Sequence, residues 1–294
     1  MTTAIGVDLG GTKIAAGVVD ETGAVLHREQ IPSVRDPDRL VKEVAKLVED
    51  VSDGRAAGVG IGAAGIIDHQ HGRYLYGPNT GFHSLELAKA VSDVVGLPAV
   101  LDNDANCAAW GEHRFGAGRG CVDFLCITLG TGIGGGFVFG SRPYRGAHGG
   151  AGEVGHMLVD PNGPLCGCGR RGCWEQFASG MALERLAGPG TKGPEITRAA
   201  RDGDARAADL VATTACWVGW GLASLVNVFE PQRIAIAGGI ASDWDLFADD
   251  AIRAMRERAE APDFRPMPDV VVAELGQNAG VVGAALLVLD PAYA

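Results

Sequence analysis

The sequence predicts an α/β protein built from two related halves. Short apolar runs that suit strands alternate with segments whose apolar residues recur at helical spacing, which is typical of layered α/β folds. A strand, a turn rich in Gly and Thr, and a second strand occur twice, around Gly10-Gly11-Thr12 and around Gly130-Thr131-Gly132. The chain has 294 residues and is 47% hydrophobic, enough to bury the core of one large domain or of two ordinary ones.

The first part of the chain predicts a hairpin followed by alternating helices and strands. The turn residues Glu21-Thr22-Gly23 separate two of the opening strands, and an Asp-Pro start at Asp36 introduces a helical apolar period. In order, the predicted elements are strands at 4–9, 13–20 and 24–31, a helix at 36–51, a strand at 57–61, a helix at 85–95, a strand at 99–101 and a helix at 103–114.

The second part repeats the pattern and then becomes more helical. Its predicted elements are strands at 122–129 and 137–140 around a Gly-rich turn at 130–136, an irregular segment at 141–173, a helix at 206–229 ended by a proline, a strand at 233–237, a helix at 243–260, a strand at 270–273 and an apolar helix at 279–289. That last run has 11 apolar residues, whereas a membrane span needs about 20.

Composition narrows the possible partners and location. Asp and Glu number 36 against 25 Lys and Arg, a formal net charge of −11, which argues against nucleic acid or an anionic membrane as the main partner. The chain begins without a basic segment of the secretory kind. We therefore expect a soluble cytoplasmic protein that binds neither nucleic acid nor membrane.

The glycine-rich turns are candidate phosphate sites. Asp8 ends the first predicted strand and could hold Mg²⁺ through water, while Gly10 and Gly11 let backbone N–H groups approach phosphate beside Thr12 and Lys13. The turns at 129–136 and 237–240 have the same character, and three such turns suit a nucleotide held between two halves. The alternatives are an ordinary hairpin turn for the first and close packing for any one of them.

Two familiar nucleotide motifs are not supported. With 45 glycines, G-x-G-x-x-G arises easily by chance, since glycine is about twice its usual share of roughly 7%. Its matches lack the strand–turn–helix setting of a dinucleotide site, and no GxxxxGK[ST] phosphate loop is present.

A compact group of cysteines predicts a zinc site. His156 precedes Cys166, Cys168 and Cys173, and glycines between the cysteines allow the backbone to fold around an ion. Three thiolates and one imidazole form a complete tetrahedral set, so the zinc would be structural, with no open position for water. The alternative is a set of reduced cysteines with an unrelated histidine.

Carboxylates and amides near these segments could hold a polyol. Asp102, Asn103 and Asp104 lie where a strand meets a helix, and a carboxylate beyond the needs of an N-cap would be a candidate general base. Glu153 and Glu175 flank the predicted zinc segment, which would fix them for hydrogen bonding to sugar hydroxyls. The alternatives are an N-cap for Asp102 or Asn103, and solvated surface residues for the two glutamates.

Taken in order, these motifs resemble those of a known family. They are Asp8-x-Gly10-Gly11-Thr12, the Asn103-Asp104 pair, Leu129-Gly130-Thr131-Gly132-x-Gly134, Glu153-x-Gly155-His156 and Cys166-x-Cys168-Gly169-x-x-Gly172-Cys173-x-Glu175. The sequence resembles the ROK family (repressors, open reading frames, kinases) over nearly its whole length, and the zinc segment with the preceding Glu-x-Gly-His is the most specific part.

The resemblance implies a fold and an activity. The fold would be actin/hexokinase-like, with duplicated RNase H-like α/β domains flanking a cleft: a small domain at 1–115, to which a C-terminal helix at 279–294 returns, and a large domain at 116–278 with the zinc and a subunit interface. The activity would be that of a bacterial glucokinase, which phosphorylates glucose with Mg²⁺ and ATP. A homodimer or homotetramer is expected.

Roles for individual residues also follow from the resemblance. Asp104 would be the general base that takes the proton of the sugar 6-hydroxyl, and His156 would hold zinc through one ring nitrogen and sugar through the other. The residues implied to hold the remaining hydroxyls are Asn79, Asn103, Glu153, His156 and Glu175. Those implied to surround ATP are Gly11, Thr12, Lys13, Thr131 and Gly132 at the phosphates, and Gly238 and Gly239 near the nucleoside.

Other functions remain open on the sequence. The same motifs would serve a kinase for N-acetylmannosamine, mannose or fructose, or one that uses polyphosphate instead of ATP. A sugar-responsive repressor of the family is disfavoured because it would carry an N-terminal helix-turn-helix domain, and the first predicted strand begins at residue 4. A non-catalytic actin-like module would not need Asp104 beside a zinc-fixed sugar site.

Overall fold

The computed structural model describes residues 2–77 and 83–293. Strands and helices alternate along the chain, and the predicted α/β class is confirmed. The chain divides into two compact units. Unit 1 comprises Met1–Val122, Gly136–Gly152 and Glu274–Ala294, and unit 2 comprises Asp123–Gly135 and Glu153–Ala273. The domain boundaries expected from the family resemblance, 1–115 with 279–294 and 116–278, stay a prediction.

The strands of the described residues are β1 (Thr3–Leu9), β2 (Lys13–Asp20), β3 (Val25–Pro32), β4 (Ala56–Ala63), β5 (Ile66–Asp68), β6 (Arg73–Tyr76), β7 (His83–Leu85), β8 (Ala99–Asn103), β9 (Phe124–Leu129), β10 (Ile133–Phe139), β11 (Arg142–Tyr144), β12 (Arg233–Ala237) and β13 (Asp269–Val272). The helices are α1 (Pro37–Val51), α2 (Leu87–Val95), α3 (Asp104–Phe115), α4 (Glu175–Ala178), α5 (Gly180–Ala187), α6 (Gly193–Arg201), α7 (Ala205–Phe229), α8 (Trp244–Arg258) and α9 (Ala279–Leu289).

Two sheets of the described chain share one strand order. The first runs β3-β2-β1-β4-β8 and the second β11-β10-β9-β12-β13. In each sheet three consecutive strands form a meander, and two later strands extend the sheet beside the first strand of that meander. In the first sheet β1 is antiparallel to β2 and parallel to β4, and in the second β12 is parallel to both β9 and β13. The β1–β2 and β9–β10 turns therefore occupy equivalent positions, as the repeated sequence pattern predicted.

Helix α9 packs against the first sheet at very short range. A Cβ on Gly6 of β1 would lie 1.9 Å from the Val281 carbonyl oxygen, and one on Gly60 of β4 would lie 1.7 Å from that of Ala284. Only glycine permits such an approach of helix to sheet. This contact places the start of α9 beside the end of β1 in unit 1.

The longest helix is α7, which lies in unit 2. By length and composition alone it could cross a membrane, but 56% of its most apolar window is buried inside the protein, as in a core helix. It packs against α6 and α8, and its N-terminus is capped by the Asp204 carboxylate, which accepts from the Ala207 N–H at 2.7 Å.

Several elements differ from the sequence prediction. The small sheet β5-β6-β7 was missed because its strands are only three or four residues long, too short for a period to show. Helices α5 and α6 were also missed. Strand β10 begins at Ile133, whereas the sequence predicted a turn up to Gly136, because these glycines pair within the sheet instead of turning.

Candidate functional site

The predicted zinc ligands come together in unit 2. One ligand atom from each of His156, Cys166, Cys168 and Cys173 lies within 4.8 Å of the others. The Cys168 and Cys173 sulfurs are 3.6 Å apart, and Cys166 and Cys173 are buried. Such a set of three thiols and an imidazole fits tetrahedral zinc.

Backbone turns hold the cysteines in this arrangement. The Cys166 N–H donates to the Arg170 carbonyl at 2.7 Å, and the Gly169 N–H donates to the Cys166 carbonyl at 3.0 Å. Gly172 has φ +72, and a Cβ there would lie 1.6 Å from the Asp160 carbonyl oxygen. Gly172 is therefore required by conformation and by space, and Gly169, with φ +85, is required by conformation.

His156 presents its two ring nitrogens to different neighbours. Nδ1 lies 3.7 Å from the Cys166 Sγ, whereas Nε2 lies 3.8 Å from a Glu153 carboxylate oxygen. The 3-10 helix Val154–His156 places the two side chains one turn apart, and the His156 N–H donates to the Glu153 carbonyl at 3.1 Å. One nitrogen can thus serve a metal while the other faces a hydrogen-bonding carboxylate.

Glu175 joins this group at the start of α4. Its carboxylate is 3.9 Å from the His156 Nδ1 and accepts from the Cys166 thiol at 3.0 Å. A Cβ on Gly132, in the β9–β10 turn, would lie 2.6 Å from the same carboxylate. The second glycine turn therefore lies directly against Glu175, within unit 2.

The β9–β10 turn also meets the turn that follows β12. At the start of α5, the Gly180 N–H donates to the Gly130 carbonyl of the β9–β10 turn at 2.8 Å. Gly238 has φ +84, and a Cβ there would lie 2.6 Å from the Leu129 carbonyl oxygen. Two of the predicted phosphate and nucleoside turns, with Thr131 and Gly239 in them, are therefore neighbours in unit 2.

The first glycine turn lies in unit 1, between β1 and β2. The Gly10 N–H donates to the Lys13 carbonyl at 3.1 Å, so the segment is a hairpin turn, and Gly11 and Thr12 at its tip are exposed. Ser33 fixes the turn, because its hydroxyl donates to the Gly10 carbonyl at 2.9 Å. Sequence reasoning missed Ser33, since nothing in its own neighbourhood links it to residue 10.

Asp8 is the last residue but one of β1 and lies beside the first turn of α9. A Cβ on Gly280 would lie 2.7 Å from its carboxylate. Burial raises the pKa of the Asp8 carboxyl, and the positive charges of Lys13 and Arg28 offset part of that rise. A carboxylate in this setting favours a nearby cation, which fits a role at a metal–phosphate complex.

The predicted base and its neighbours lie at the β8–α3 junction of unit 1. Asn103 is the N-cap of α3: its side-chain oxygen accepts from the N–H groups of Ala105 and Asn106 at 2.8 and 3.1 Å, and its amide donates to the Gly65 carbonyl at 3.0 Å. Asp104 is the first residue of α3. The cap keeps Asp104 at the helix N-terminus.

Asp102 does not cap α3 but lies buried beneath the junction. Its carboxylate accepts from Arg145 Nε and from the Tyr293 hydroxyl, each at 2.6 Å. Sequence reasoning singled out neither Arg145 nor Tyr293, which lie 43 and 191 residues along the chain. Asn79, the remaining predicted sugar contact, lies outside the described residues.

Known proteins resemble this chain over nearly its whole length. The sequence profile of the ROK family matches residues 4–291. The glucokinase of Streptomyces coelicolor is 43% identical over 98% of this chain and 98% of its own length.

Solved structures resemble the fold as well. A ROK family glucokinase from Streptomyces griseus, in complex with glucose and AMPPNP, is 43% identical with a TM-score of 0.90, over 97% of this chain and 99% of that one. A ROK hexokinase from Thermus thermophilus is 37% identical with a TM-score of 0.81, over 97% of each chain. The expected actin/hexokinase-like fold is confirmed, and the chain belongs to the ROK family.

Proposed function

We propose that this protein is an ATP-dependent glucokinase. The observation that carries the proposal is the orientation of His156, whose Nδ1 faces a cysteine cluster while its Nε2 faces Glu153. This arrangement suits a structural ion that fixes a sugar-binding edge. The likeness to glucokinases over nearly the full chain supports the same activity.

Asp104 acts as the general base in this proposal. The sugar 6-hydroxyl oxygen bonds to the γ-phosphorus, the bond from that phosphorus to the β–γ bridging oxygen breaks, and ADP leaves. The hydroxyl proton passes to the Asp104 carboxylate. Because phosphoryl transfer needs little covalent chemistry from the protein, alignment of the hydroxyl with the γ-phosphate and stabilisation of the spreading charge supply most of the rate.

The other predicted residues bind the two substrates. We assign the remaining glucose hydroxyls to Asn79, Asn103, Glu153, His156 and Glu175, and the ATP phosphates and nucleoside to Gly10, Gly11, Thr12, Lys13, Thr131, Gly132, Gly238 and Gly239. The contact of Gly132 with Glu175 supports this division, since it places a phosphate turn next to a sugar residue. Asp8 would hold Mg²⁺ through water, and the ion would neutralise charge on the phosphates.

Zinc has a structural part in the proposal. His156, Cys166, Cys168 and Cys173 would fill its four positions and leave none for substrate or water. The ion would stabilise the irregular segment that carries Glu153 and precedes Glu175. Their carboxylates would then meet glucose in a fixed arrangement, which lowers the entropy lost on binding.

A coupled assay of ADP release tests the activity. We expect turnover with glucose and ATP to exceed turnover with mannose, fructose or N-acetylmannosamine. Higher kcat/KM with another hexose would reassign the substrate, and glucose 6-phosphate formation from polyphosphate but not ATP would reassign the donor. A folded protein that binds sugar without any turnover would favour the repressor alternative.

We propose a homodimer or homotetramer in the cytoplasm. Large apolar side chains are exposed on unit 2, notably Leu158, Leu165, Val228 and Phe264, the last 93% exposed, and exposed apolar surface commonly marks protein interfaces. Light scattering at several concentrations would give the mass, and the mass of a single chain throughout would overturn the oligomer.

A further inference from the structure

A buried ionic cluster adjoins the β8–α3 junction, where Asp104, the predicted catalytic base, begins α3. Asp102 is 1% exposed and Tyr293 is 1% exposed. Among the described residues, the Asp102 carboxylate accepts from the Asn103 N–H at 2.6 Å, the Asn106 side-chain amide at 3.2 Å, Arg145 Nε at 2.6 Å and the Tyr293 hydroxyl at 2.6 Å. Such a charge is tolerated away from water only because these donors compensate it.

Arg145 contacts both of the other members of the cluster, Asp102 and Tyr293. Besides its bond to Asp102, its second donor nitrogen gives a hydrogen bond to the Tyr293 carbonyl at 2.9 Å. Its guanidinium carbon lies 4.2 Å from the centre of the Tyr293 ring, close enough for a cation–π contact. Arg145 thus holds both the backbone and the ring of Tyr293, so the three side chains form one unit.

Aromatic side chains enclose the tyrosine ring. Trp110 of α3 and His69 meet it edge-on, with ring centres 5.8 and 6.0 Å away. The His69 Nδ1 is hydrogen-bonded to the Leu101 carbonyl at 2.8 Å, which anchors it to β8. Packing on several sides therefore fixes the Tyr293 ring, and with it the position of the hydroxyl that donates to Asp102.

The two carboxylate oxygens of Asp102 accept hydrogen bonds from different groups. Oδ1 accepts from Asn103 and Asn106, which stand on either side of Asp104 in the sequence. Oδ2 accepts from Arg145 and Tyr293. Any rotation of the carboxylate that follows loss of a donor at Oδ2 moves Oδ1 and the junction that it holds.

We propose that Asp102, Arg145 and Tyr293 are positioning residues that orient Asp104 for proton abstraction. The inference rests on the proposed function, because it assumes that Asp104 is the base. The cluster touches neither sugar nor nucleotide in this proposal; it acts through the Asn103–Asn106 turn. Its contribution appears in the transition state, where alignment of base and hydroxyl matters most.

Tyr293→Phe is the decisive variant. It removes the hydroxyl and leaves the ring packing and the Arg145 contact in place. We expect kcat to fall about tenfold, since a misplacement of about 1 Å can cost up to about 100-fold, while KM for glucose stays within about twofold. A structural role alone would lower thermal stability without separating kcat from KM.

A second variant tests whether the hydroxyl acts through Asp102. If it does, the kcat of Tyr293→Phe/Asp102→Asn equals that of Asp102→Asn, because the same interaction is lost only once. Multiplied losses in the double variant would overturn the inference. If the Asp102 variants do not fold, the same comparison of single and double variants is made with Arg145→Lys instead. Lysine keeps the charge of Arg145 but loses its planar donor pair.

Arg114→Gln is the matched control. Arg114 pairs with Asp290 at 3.2 Å and so holds the same C-terminal segment without touching Asp102. We expect it to lower stability and leave kcat unchanged. Active wild-type enzyme with an unchanged kcat in Tyr293→Phe would refute the positioning cluster alone, whereas an inactive wild type would refute the proposed function.

Discussion

The Nδ1 atom of His156 lies 3.7 Å from the sulfur of Cys166, so the ring turns one nitrogen toward the cysteines. Its other nitrogen is left facing Glu153, 3.8 Å away. In the proposed site, an ion on the cysteine side would hold the imidazole in this orientation.

Metal analysis of protein purified without chelators is expected to find about one zinc per chain, as a set of four protein ligands implies. Cys168→Ser should lose most of the zinc and lower the melting temperature. Cys216→Ser, which changes a half-buried thiol of α7, is the control and should keep the metal. Folded wild-type protein without bound metal would contradict the assignment.

Asp104→Asn should lower kcat by about 10²–10⁴-fold, the usual contribution of a general base. Glucose binding, measured by calorimetry, should change little because the amide keeps the size and the acceptor oxygen of the carboxylate. Asp93→Asn removes the same charge from an exposed position on α2, where Asp93 pairs with Lys89, and should leave kcat unchanged. Near-normal turnover in Asp104→Asn would exclude Asp104 as the base.

Asp8→Asn should raise thermal stability at neutral pH while lowering activity. Burial raises the pKa of Asp8 above its ordinary value of 3.8, so the folded state binds the proton more tightly than the unfolded state. The free energy of unfolding therefore falls as pH rises from the ordinary pKa through the folded one, and asparagine removes that loss.

The measurement is a pair of melting curves without nucleotide or Mg²⁺. The two proteins should melt alike well below pH 3.8, where Asp8 is protonated in both the folded and the unfolded state, and Asp8→Asn should melt higher at pH 7. Asp50→Asn, at the exposed end of α1, should show no such gain. A variant that melts lower than wild type at pH 7 would contradict the direction of the pKa shift.

Glu112→Gln should destabilise unit 1. The carboxylate is buried and accepts from the N–H groups of Ala117, Glu274 and Leu275 at 2.8, 3.0 and 2.7 Å. Glutamine turns one acceptor into a donor that faces another donor, so we expect a loss of about 2–3 kcal/mol in the free energy of unfolding.

Urea unfolding measures this change. Glu49→Gln on the exposed face of α1 is the control and should fall within about 0.5 kcal/mol of wild type. Equal effects of the two substitutions would show that the three backbone bonds of Glu112 contribute nothing to the stability of unit 1.

Gly283→Ala tests the close packing of α9 on α3. A Cβ at this position would lie 1.7 Å from the Cys107 carbonyl oxygen, so the backbones must separate. We expect a loss of about 3 kcal/mol or more, or failure to fold, as in severe overpacking. Gly150→Ala, where an added Cβ meets nothing within 4 Å, should be nearly neutral in the same melting experiment.

Much of the candidate site could be predicted because its members are close in sequence. The zinc ligands lie between His156 and Cys173, and glycines stand at the positions between the cysteines where the backbone needs a positive φ, Gly169 and Gly172. The hairpin turns were predicted for the same reason, since strand, turn and strand follow one another. Short elements such as β5–β7 escaped, because three residues carry no period.

Pattern and spacing by themselves determined the α/β class, the repeated strand–turn–strand motif and the cysteine cluster, because these depend on local periodicity and on neighbours along the chain. Tertiary structure decided which nitrogen of His156 meets the cysteines and that Asn103, not Asp102, caps α3. It also joined Asp102 to Tyr293, 191 residues away. A buried charge needs hydrogen-bond donors, which the fold can bring from distant parts of the chain. No periodicity in the sequence indicates which distant residues those donors are.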